Sequence, residues 1–217
     1  MKIFLSAVFG FISLNLLSQT YNFDYYIGYS TELKRNKDIS SNKFYSLVNS
    51  KNHSYTAKII KGKKTKSEVI IADYPNEVLY YFDLKSENFP LKNDDFIYVK
   101  SKKLKNVKKQ FEDEFKNRFI TTVPMNNDGI IFNYEIKESK NSDSKNYSTK
   151  AVVSFTKYKD DLAFAGLEIL LDFYGVSRKI VLPENMILTS ATSEFDGAEK
   201  TLELKVIEPV EITFSVK

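Results

Sequence analysis

Four short apolar segments between residues 44 and 84 constrain the fold of this chain more than any other part of its sequence. Polar breaks of a few residues separate them, and they cover residues 44–49, 54–60, 68–72 and 78–84. Gly62 lies in the second break and Pro75 in the third, and both residue types favour turns. The pattern predicts a four-stranded antiparallel meander on which the rest of the chain is built.

Further strands are predicted where apolar and polar residues alternate. In residues 21–29 every second residue is apolar or aromatic, the period of a strand with one face in a core. The same pattern predicts strands at residues 96–99, 129–136, 147–157 and 202–216. Pro209 either divides the last of these into two strands or bends a single edge strand. Residues 31–42 are predicted to be a loop or one helical turn, and residues 184–199 a mixed segment with one helical turn.

A change of period predicts one helix. Leu104, Val107, Phe111 and Phe115 are spaced 3, 4 and 4 residues apart, with charged residues between them. That spacing forms one stripe on a helix but would be scattered over both faces of a strand. Residues 104–117 are therefore predicted to form an amphipathic helix.

The segment from Gly166 to Gly175 fits two interpretations. Leu167, Ile169, Leu171 and Phe173 alternate with other residues, and a second apolar run follows at residues 180–182. These features favour a hairpin bracketed by two glycines, which is our prediction. A buried helix that ends at a glycine is the alternative.

Together these segments amount to about eleven strands and one helix, and no Pro/Gly linker or charge block separates domains. We predict a fold of the α+β class that is predominantly β. It is a single antiparallel, curved sheet or half-open barrel with one minor amphipathic helix. Residues 19–217 are predicted to form this one domain, and periodicity leaves open whether the sheet closes.

The first eighteen residues have the features of a signal peptide. A positive start at Met1 and Lys2 precedes an apolar run over residues 3–17, and cleavage is predicted between Ser18 and Gln19. A retained N-terminal anchor helix is the alternative. No second run is long and apolar enough to span a membrane. We therefore expect an exported protein, periplasmic or secreted, without a membrane-spanning segment in the mature chain.

Composition argues against several kinds of site. The chain has no cysteine and one histidine, His53. This excludes a Cys/His nucleophile pair, a zinc site of the usual nitrogen and sulfur ligands, and haem attachment through cysteine. The formal net charge of +4 is near balance for 217 residues and does not indicate a nucleic-acid partner. No catalytic residue, metal ligand or cofactor is predicted.

Aromatic residues are abundant, with 14 tyrosines and 17 phenylalanines. One explanation is that they fill a β core, with tyrosine hydroxyls at its rim. The other is that some of them line an apolar cavity between the sheet and the helix. The candidate ligand-binding residues all occupy apolar positions of the predicted elements: Tyr25, Tyr80, Phe82, Phe111, Phe115, Phe132 and Tyr134.

Three segments resemble a known group of proteins. They are YNFDYYIGYS at residues 21–30, LVNSKNHSYTAKI at 47–59, and ILLDFYGVSRKIVLP with MILTSATSEF within 169–195. They resemble small exported proteins of Bacteroidetes that have no assigned function. The resemblance implies export and β-hairpins, and it implies no catalytic or binding residue. The predicted sheet with its helix is also similar in architecture to periplasmic lipoprotein carriers of the half-barrel type.

Three functions remain open at this point. The first is a non-catalytic binding domain of the cell envelope, whose partner is a small apolar ligand or an envelope protein. The second is a surface or assembly protein that pairs with another chain through its edge strands. The third is an exported hydrolase that uses carboxylates alone.

Overall fold

The computed structural model describes residues 19–62, 66–86, 89–140, 147–172, 175 and 179–216. The predicted signal peptide and the cleavage bond after Ser18 therefore lie outside the described residues, apart from Gln19 itself. Eleven strands and two helices are assigned within the described ranges. In chain order they are β1 (Gln19–Arg35), β2 (Asp38–Val48), β3 (Tyr55–Ile60), β4 (Ser67–Asp73), β5 (Val78–Leu84), β6 (Phe96–Lys103), α1 (Val107–Asn117), β7 (Phe119–Asn127), β8 (Ile131–Ser139), β9 (Thr149–Lys157), α2 (Ala163–Leu171), β10 (Met186–Phe195) and β11 (Ala198–Val216). A 3₁₀ turn at Asn93–Asp95 precedes β6.

All these strands form one antiparallel sheet in the order β6-β5-β4-β3-β2-β1-β11-β10-β9-β8-β7. The predicted meander is confirmed, because β2 to β5 are neighbours in chain order. At the centre of the sheet β1 pairs with β11 along almost its whole length, from Gln19 opposite Val216 to Arg35 opposite Ala198. Strands β6 and β7 are the two edges, so the sheet is not closed.

The connection through α1 requires the sheet to curve. Fifteen residues, 104–118, join the edge strand β6 to the opposite edge strand β7, and eleven of them form α1. Such a connection reaches at most roughly 35 Å. Eleven strands laid flat at about 4.8 Å spacing would place the edges roughly 48 Å apart. The predicted predominantly β, antiparallel and curved sheet is therefore confirmed, and the structure shows that it stays open, with two helices and not one among the described residues.

Two clusters of buried residues hold the sheet together. The first packs α2 against residues of β1, β8, β9 and β10, including Tyr29, Phe155 and Leu188. The second lies among β3, β4 and β5, the N-terminal part of β1 and the C-terminal part of β11. In it the Phe82 and Phe214 rings are 4.6 Å apart. Because β1 and β11 contribute to both clusters, these two strands connect the halves of the molecule.

Strand β1 confirms the predicted burial of its alternate residues, but not that only one face is buried, since Tyr26 of the other parity is 6% exposed and belongs to the second cluster. The five residues of the predicted parity are each at most 2% exposed: Tyr21, Phe23, Tyr25, Ile27 and Tyr29. The first two belong to the second cluster and the other three to the first. The change coincides with an irregularity in the β1–β11 pairing between Phe23 and Tyr25. A bulge of this kind twists a strand and redirects its side chains.

The predicted hairpin from Gly166 to Gly175 is wrong, because Ala163–Leu171 is helix α2. Seven of its nine residues are buried, so the helix is apolar nearly all round and lacks the stripe that marks a surface helix. Gly166 lies inside the helix and not at a strand end. Its missing side chain allows the helix to pack closely on β1 and β10. Residues 180–182 are not in a strand, and Phe173 and Tyr174 lie outside the described residues.

Three further segments are strands where none was predicted, and one of them is β7 at Phe119–Asn127. Residues 31–35 and 38–42 extend β1 and β2 into a long hairpin, and residues 186–195 form β10. The hairpin was taken for a loop because most of its outer residues are exposed on both faces, which removes the apolar alternation. The predicted edge position of the last strand is also wrong, since β11 is continuous and central. Its Pro209 lies beside the β1–β11 irregularity, where a missing N–H is tolerated.

The predicted amphipathic helix is confirmed as α1, although it begins at Val107 and not at Leu104. Phe111 and Phe115 are half-buried and pack against the first cluster, while the residues between them are exposed. Within the described ranges, neither helix is long and apolar enough to cross a membrane. The single domain over residues 19–217 remains a prediction.

Candidate functional site

A groove of about 820 Å³ lies between helix α2 and strands β2 and β3. The described residues that line it come from these three elements, from the residues directly after β3 and α2, and from β11. They are Ser41, Asn42, Lys43, Phe44, Tyr45, Ser46, Val48, Thr56, Lys58, Ile59, Ile60, Lys61, Gly62, Ala165, Glu168, Ile169, Asp172 and Lys200. We call this cavity the α2 groove.

The floor of the α2 groove is one face of β2 and β3. Ser46 lies opposite Lys58 in the β2–β3 ladder, so the alternate residues of both strands share this face. Their neighbours Leu47 and Ala57, also opposite one another, are buried in the second cluster on the other face. The period of two thus separates a buried face from a groove face on the same two strands.

The groove face continues onto the next two strands. Lys58 lies opposite Ile70 of β4, and Ile70 lies opposite Tyr81 of β5. In the same register Thr56 lies opposite Ala72 of β4, and Ala72 lies opposite Leu79 of β5. The α2 groove therefore opens towards a largely apolar surface of the sheet.

Two large apolar side chains of the floor are accessible to solvent. Phe44 is 38% exposed and Ile60 is 51% exposed, although both line a concave surface. Apolar area in a cleft is removed from water when a ligand covers it, which favours binding by about 25 cal/mol per Å². The floor therefore provides a surface on which an apolar group can be buried.

Helix α2 forms the wall of the α2 groove. Ala165, Glu168, Ile169 and Asp172 follow one another at intervals of three, one and three residues and lie on one side of the helix. The opposite side is fixed to the sheet. A Cβ on Gly166 would lie 2.9 Å from the Leu188 Cβ and 2.9 Å from the Tyr29 hydroxyl. That hydroxyl donates a hydrogen bond to the Leu188 carbonyl at 3.0 Å.

The hairpin turn between β2 and β3 supports the start of the wall. The His53 ring stacks on the Phe164 ring at 3.7 Å between centroids, and a ring nitrogen lies 3.1 Å from the Ser50 carbonyl. The single histidine therefore packs against α2 and helps to hold the helix over the floor.

The wall carries a carboxyl group with an altered pKa. Burial raises the pKa of Glu168 to about 7, while the Gly175 N–H and the Lys58 ammonium act in the opposite direction. The Gly175 N–H donates to Glu168 Oε1 at 3.2 Å. Near neutral pH this carboxyl group is therefore divided between its neutral and charged forms.

Further polar groups lie near the end of α2 that carries Glu168. Lys200 of β11 donates to the Ile169 carbonyl at 2.5 Å. Burial lowers the pKa of Lys200, and the Asp172 carboxylate opposes that effect. Burial also raises the pKa of Tyr74, in the β4–β5 turn, to about 12, with smaller contributions from Glu168 and Asp172. The upper part of the groove is therefore polar, above an apolar floor.

A different buried carboxylate, Asp73, is occupied by hydrogen bonds. The Tyr21 hydroxyl and the Gln19 amide donate to its Oδ2 at 2.7 and 2.6 Å. The Asn76 backbone N–H donates to Oδ1 at 3.0 Å. These bonds satisfy a group that is 3% exposed in the second cluster, which indicates a structural role.

The structure separates the seven predicted ligand-binding residues. Tyr25 and Tyr134 are buried in the first cluster, and Phe111, Phe115 and Phe132 pack against it. Tyr80 and Phe82 are buried in the second cluster. None of the seven is among the described residues that line the α2 groove, and their role as ligand contacts stays a prediction.

Sequence reasoning did not select the groove residues. Thr56, Lys58 and Ile60 form the non-core parity of β3, which reads as an ordinary solvent face. Only the position of α2 above them makes that face the floor of a groove, and the sequence predicts a hairpin in place of α2. Among the described residues no group of three potential metal ligands is found.

No protein-family model matches this sequence, and no curated protein is significantly similar to it. Solved structures give loose superpositions. A domain from Vibrio parahaemolyticus, described as an outer membrane lipoprotein-sorting protein domain, is 8% identical with a TM-score of 0.32, covering 86% of this chain and 85% of its own. A LolA superfamily protein from Nitrosomonas europaea is 9% identical with a TM-score of 0.33, covering 86% of each chain.

A third structure, a DUF1329 family protein from Desulfovibrio piger, is 11% identical with a TM-score of 0.27, covering 89% of this chain and 86% of its own. Superpositions this loose do not establish a shared fold or function. The function of this chain therefore has to be argued from the α2 groove itself.

Proposed function

We propose that this protein is a non-catalytic binding domain that holds the apolar part of a small ligand in the α2 groove. The observation that carries the proposal is the accessible apolar floor, with Phe44 and Ile60 exposed inside a cavity of about 820 Å³. Ligand sites are typically clefts of about 300–1,000 Å³ with apolar walls and few polar groups. The size and lining of the α2 groove agree with this description.

The predicted signal peptide adds a location to the proposal. An exported chain would meet its ligand in the periplasm or outside the cell, where lipids and other envelope molecules offer apolar groups. Ile70 of β4 and Tyr81 of β5 follow Lys58 in the strand register, so part of a longer ligand can extend onto this side of the sheet beyond the groove. Such a protein would carry or present its ligand without changing it chemically.

A neutral apolar probe tests the proposal. N-phenyl-1-naphthylamine fluoresces when it leaves water, and we expect saturable binding to the mature protein. Ile60→Asp places a charge on the groove floor and should weaken binding at least about tenfold, because the probe would have to desolvate a carboxylate. The matched control is Ile39→Asp, since Ile39 is a 64% exposed isoleucine of β2 that does not appear in the groove lining.

The two variants separate the outcomes. Loss of binding in Ile60→Asp with normal binding in Ile39→Asp supports the proposal, and equal binding in both contradicts it. Native mass spectrometry of the protein from its own cells provides a second measurement. An added mass that is lost on denaturation is the expected result. Whole-number multiples of the chain mass would instead favour pairing through the edge strands β6 and β7.

A further inference from the structure

We propose that the ligand of the α2 groove is an anionic amphiphile, an apolar chain that ends in a carboxylate, phosphate or sulfate group, and that Lys58 binds this end. The inference rests on the proposed function, because it names the class of ligand for the same groove. The shared chemistry is a negative charge next to an apolar chain. A free fatty acid and the head group of an anionic phospholipid are both sources of it.

The balance of charge in the groove favours an anion. Among the described residues, four lysines line it, Lys43, Lys58, Lys61 and Lys200, against two carboxyl groups, Glu168 and Asp172. A cationic amphiphile would meet four like charges there. An anionic one would meet an excess of positive charge, which assists both its approach and its orientation.

Lys58 holds the most suitable position among the four. It projects from the middle of β3, between Thr56 and Ile60, and its strand neighbour across β4 is Ile70. Its ammonium group senses the Glu168 carboxyl group electrostatically, but no hydrogen bond or ion pair joins it to another described side chain. An anionic end can therefore reach Lys58 while the attached chain lies on the apolar floor.

Two of the other three lysines already have contacts in the structure, and Lys43 shares the β2 parity of Leu47, which lies on the other face of the sheet. Lys200 donates to the Ile169 carbonyl, and the Lys61 ammonium lies 4.3 Å above the Tyr45 ring. Both lysines add positive charge to the groove, but their ammonium groups are already engaged in these contacts. The Lys58 ammonium can donate to a ligand. A charge-assisted hydrogen bond to an oxyanion is about twice as strong as a neutral one, so Lys58 can distinguish an acid from its ester.

A pair of probes with the same chain tests this distinction. Dansylamino-undecanoic acid carries a carboxylate at pH 8, and its methyl ester is neutral. We expect the wild-type protein to bind the acid about tenfold more tightly than the ester, the effect of one charge-assisted hydrogen bond. Lys58→Gln should remove this preference by weakening binding of the acid about tenfold. Lys116→Gln, an exposed lysine of α1 outside the groove lining, is the control and should keep the preference.

Ester binding distinguishes failure of this inference from failure of the proposed function. If neither probe binds the wild-type protein, the proposed function fails. If both bind equally, or if Lys58→Gln keeps the preference for the acid, the inference alone is overturned. A far-UV circular dichroism spectrum and a urea midpoint equal to those of the wild type show that Lys58→Gln is folded.

Competition then identifies the source of the anion. Lysophosphatidylglycerol and lysophosphatidylcholine have similar apolar chains, but only the first carries a net negative charge. Displacement of the bound acid by the first and not by the second would indicate a phospholipid head group. Displacement by a fatty acid alone would indicate a free carboxylate. Equal displacement by both lysophospholipids would contradict recognition of negative charge.

Discussion

Glu168 shows at the level of one residue how the fold changes ordinary chemistry. Its side chain lies on the groove side of α2, where it is largely buried and accepts a hydrogen bond from the Gly175 N–H. Burial then raises the pKa of Glu168 to about 7, from 4.5 in an unfolded chain. No sequence pattern predicts this, because the cause is the position of α2 over the groove in the folded chain.

The altered pKa of Glu168 should appear in the pH dependence of stability. The folded protein holds the proton more tightly than the unfolded chain, so the free energy of unfolding falls as the pH rises from about 4.5 to about 7. Glu168→Gln cannot titrate and should lose this decline. Between pH 5 and pH 8 the variant should gain about 2 kcal/mol relative to the wild type.

Urea unfolding at several pH values measures this difference. Other carboxyl groups titrate in both proteins, including Glu138, whose pKa burial also raises. Their effect cancels in the difference between variant and wild type. A difference that stays constant from pH 5 to pH 8 would show that Glu168 is charged throughout in the folded protein.

Individual core residues could be predicted from the sequence more reliably than groove residues. The buried parity from Tyr21 to Tyr29 follows from alternation alone, because each of these side chains is apolar or aromatic. Ile60 and Lys58 share a parity with Thr56, and this mixture has the composition of a solvent-facing strand. Their role depends on which element covers them, and that information is not local.

At the level of secondary-structure elements, the position of α2 depends on Gly166. The helix approaches β1 and β10 so closely that the Leu188 side chain and the Tyr29 hydroxyl occupy the space of a Cβ. In the sequence the same glycine suggested the end of a strand. Glycine marks both strand ends and close approaches of the backbone, so its presence alone does not decide between them.

Gly166→Ala should therefore destabilise the protein, although alanine favours helix more than glycine does. The added methyl group costs about 1–3 kcal/mol of overpacking, against a gain of about 1 kcal/mol in helix propensity. We expect a lower melting temperature in calorimetry and weaker binding of the neutral probe, because α2 must move relative to the groove floor. A melting temperature equal to or above that of the wild type would mean that α2 lies further from the sheet.

Strands with an apolar alternation could be predicted, and strands without one could not. The meander β2 to β5 follows from four clear segments of the sequence. The outer half of the β1–β2 hairpin, at residues 31–42, has largely exposed residues and carries no such signal. One interpretation of the sequence placed the last strand at an edge, because Pro209 has no N–H to donate to a neighbouring strand. In the structure β11 is central, and Pro209 lies beside an irregularity of the β1–β11 pairing, where a missing N–H is tolerated.

At the level of the whole molecule, the two clusters share the strands β1 and β11. Tyr21 and Phe23 of β1 belong to the second cluster, and Ile27 and Tyr29 to the first. Loss of either cluster would therefore leave half of β1 without its partners. We expect the described chain to unfold as one cooperative unit, which is the test of the predicted single domain.

Two matched substitutions examine this cooperativity. Phe155 lies in the first cluster and Phe214 in the second, and both are nearly fully buried. Each Phe→Ala change should lower the free energy of unfolding by about 3–5 kcal/mol. Calorimetry of both variants should show one transition, with equal calorimetric and van't Hoff enthalpies. Two transitions, each shifted by only one of the substitutions, would instead show that the clusters unfold independently.

The order of the strands has a consequence for the path of the chain. The first and last described strands lie side by side at the centre, with Gln19 opposite Val216, while α1 joins the two edges. If these central ends were linked and the connection through α1 were cut, every strand would follow its spatial neighbour. The fold is thus a circular permutation of a simple up-and-down meander.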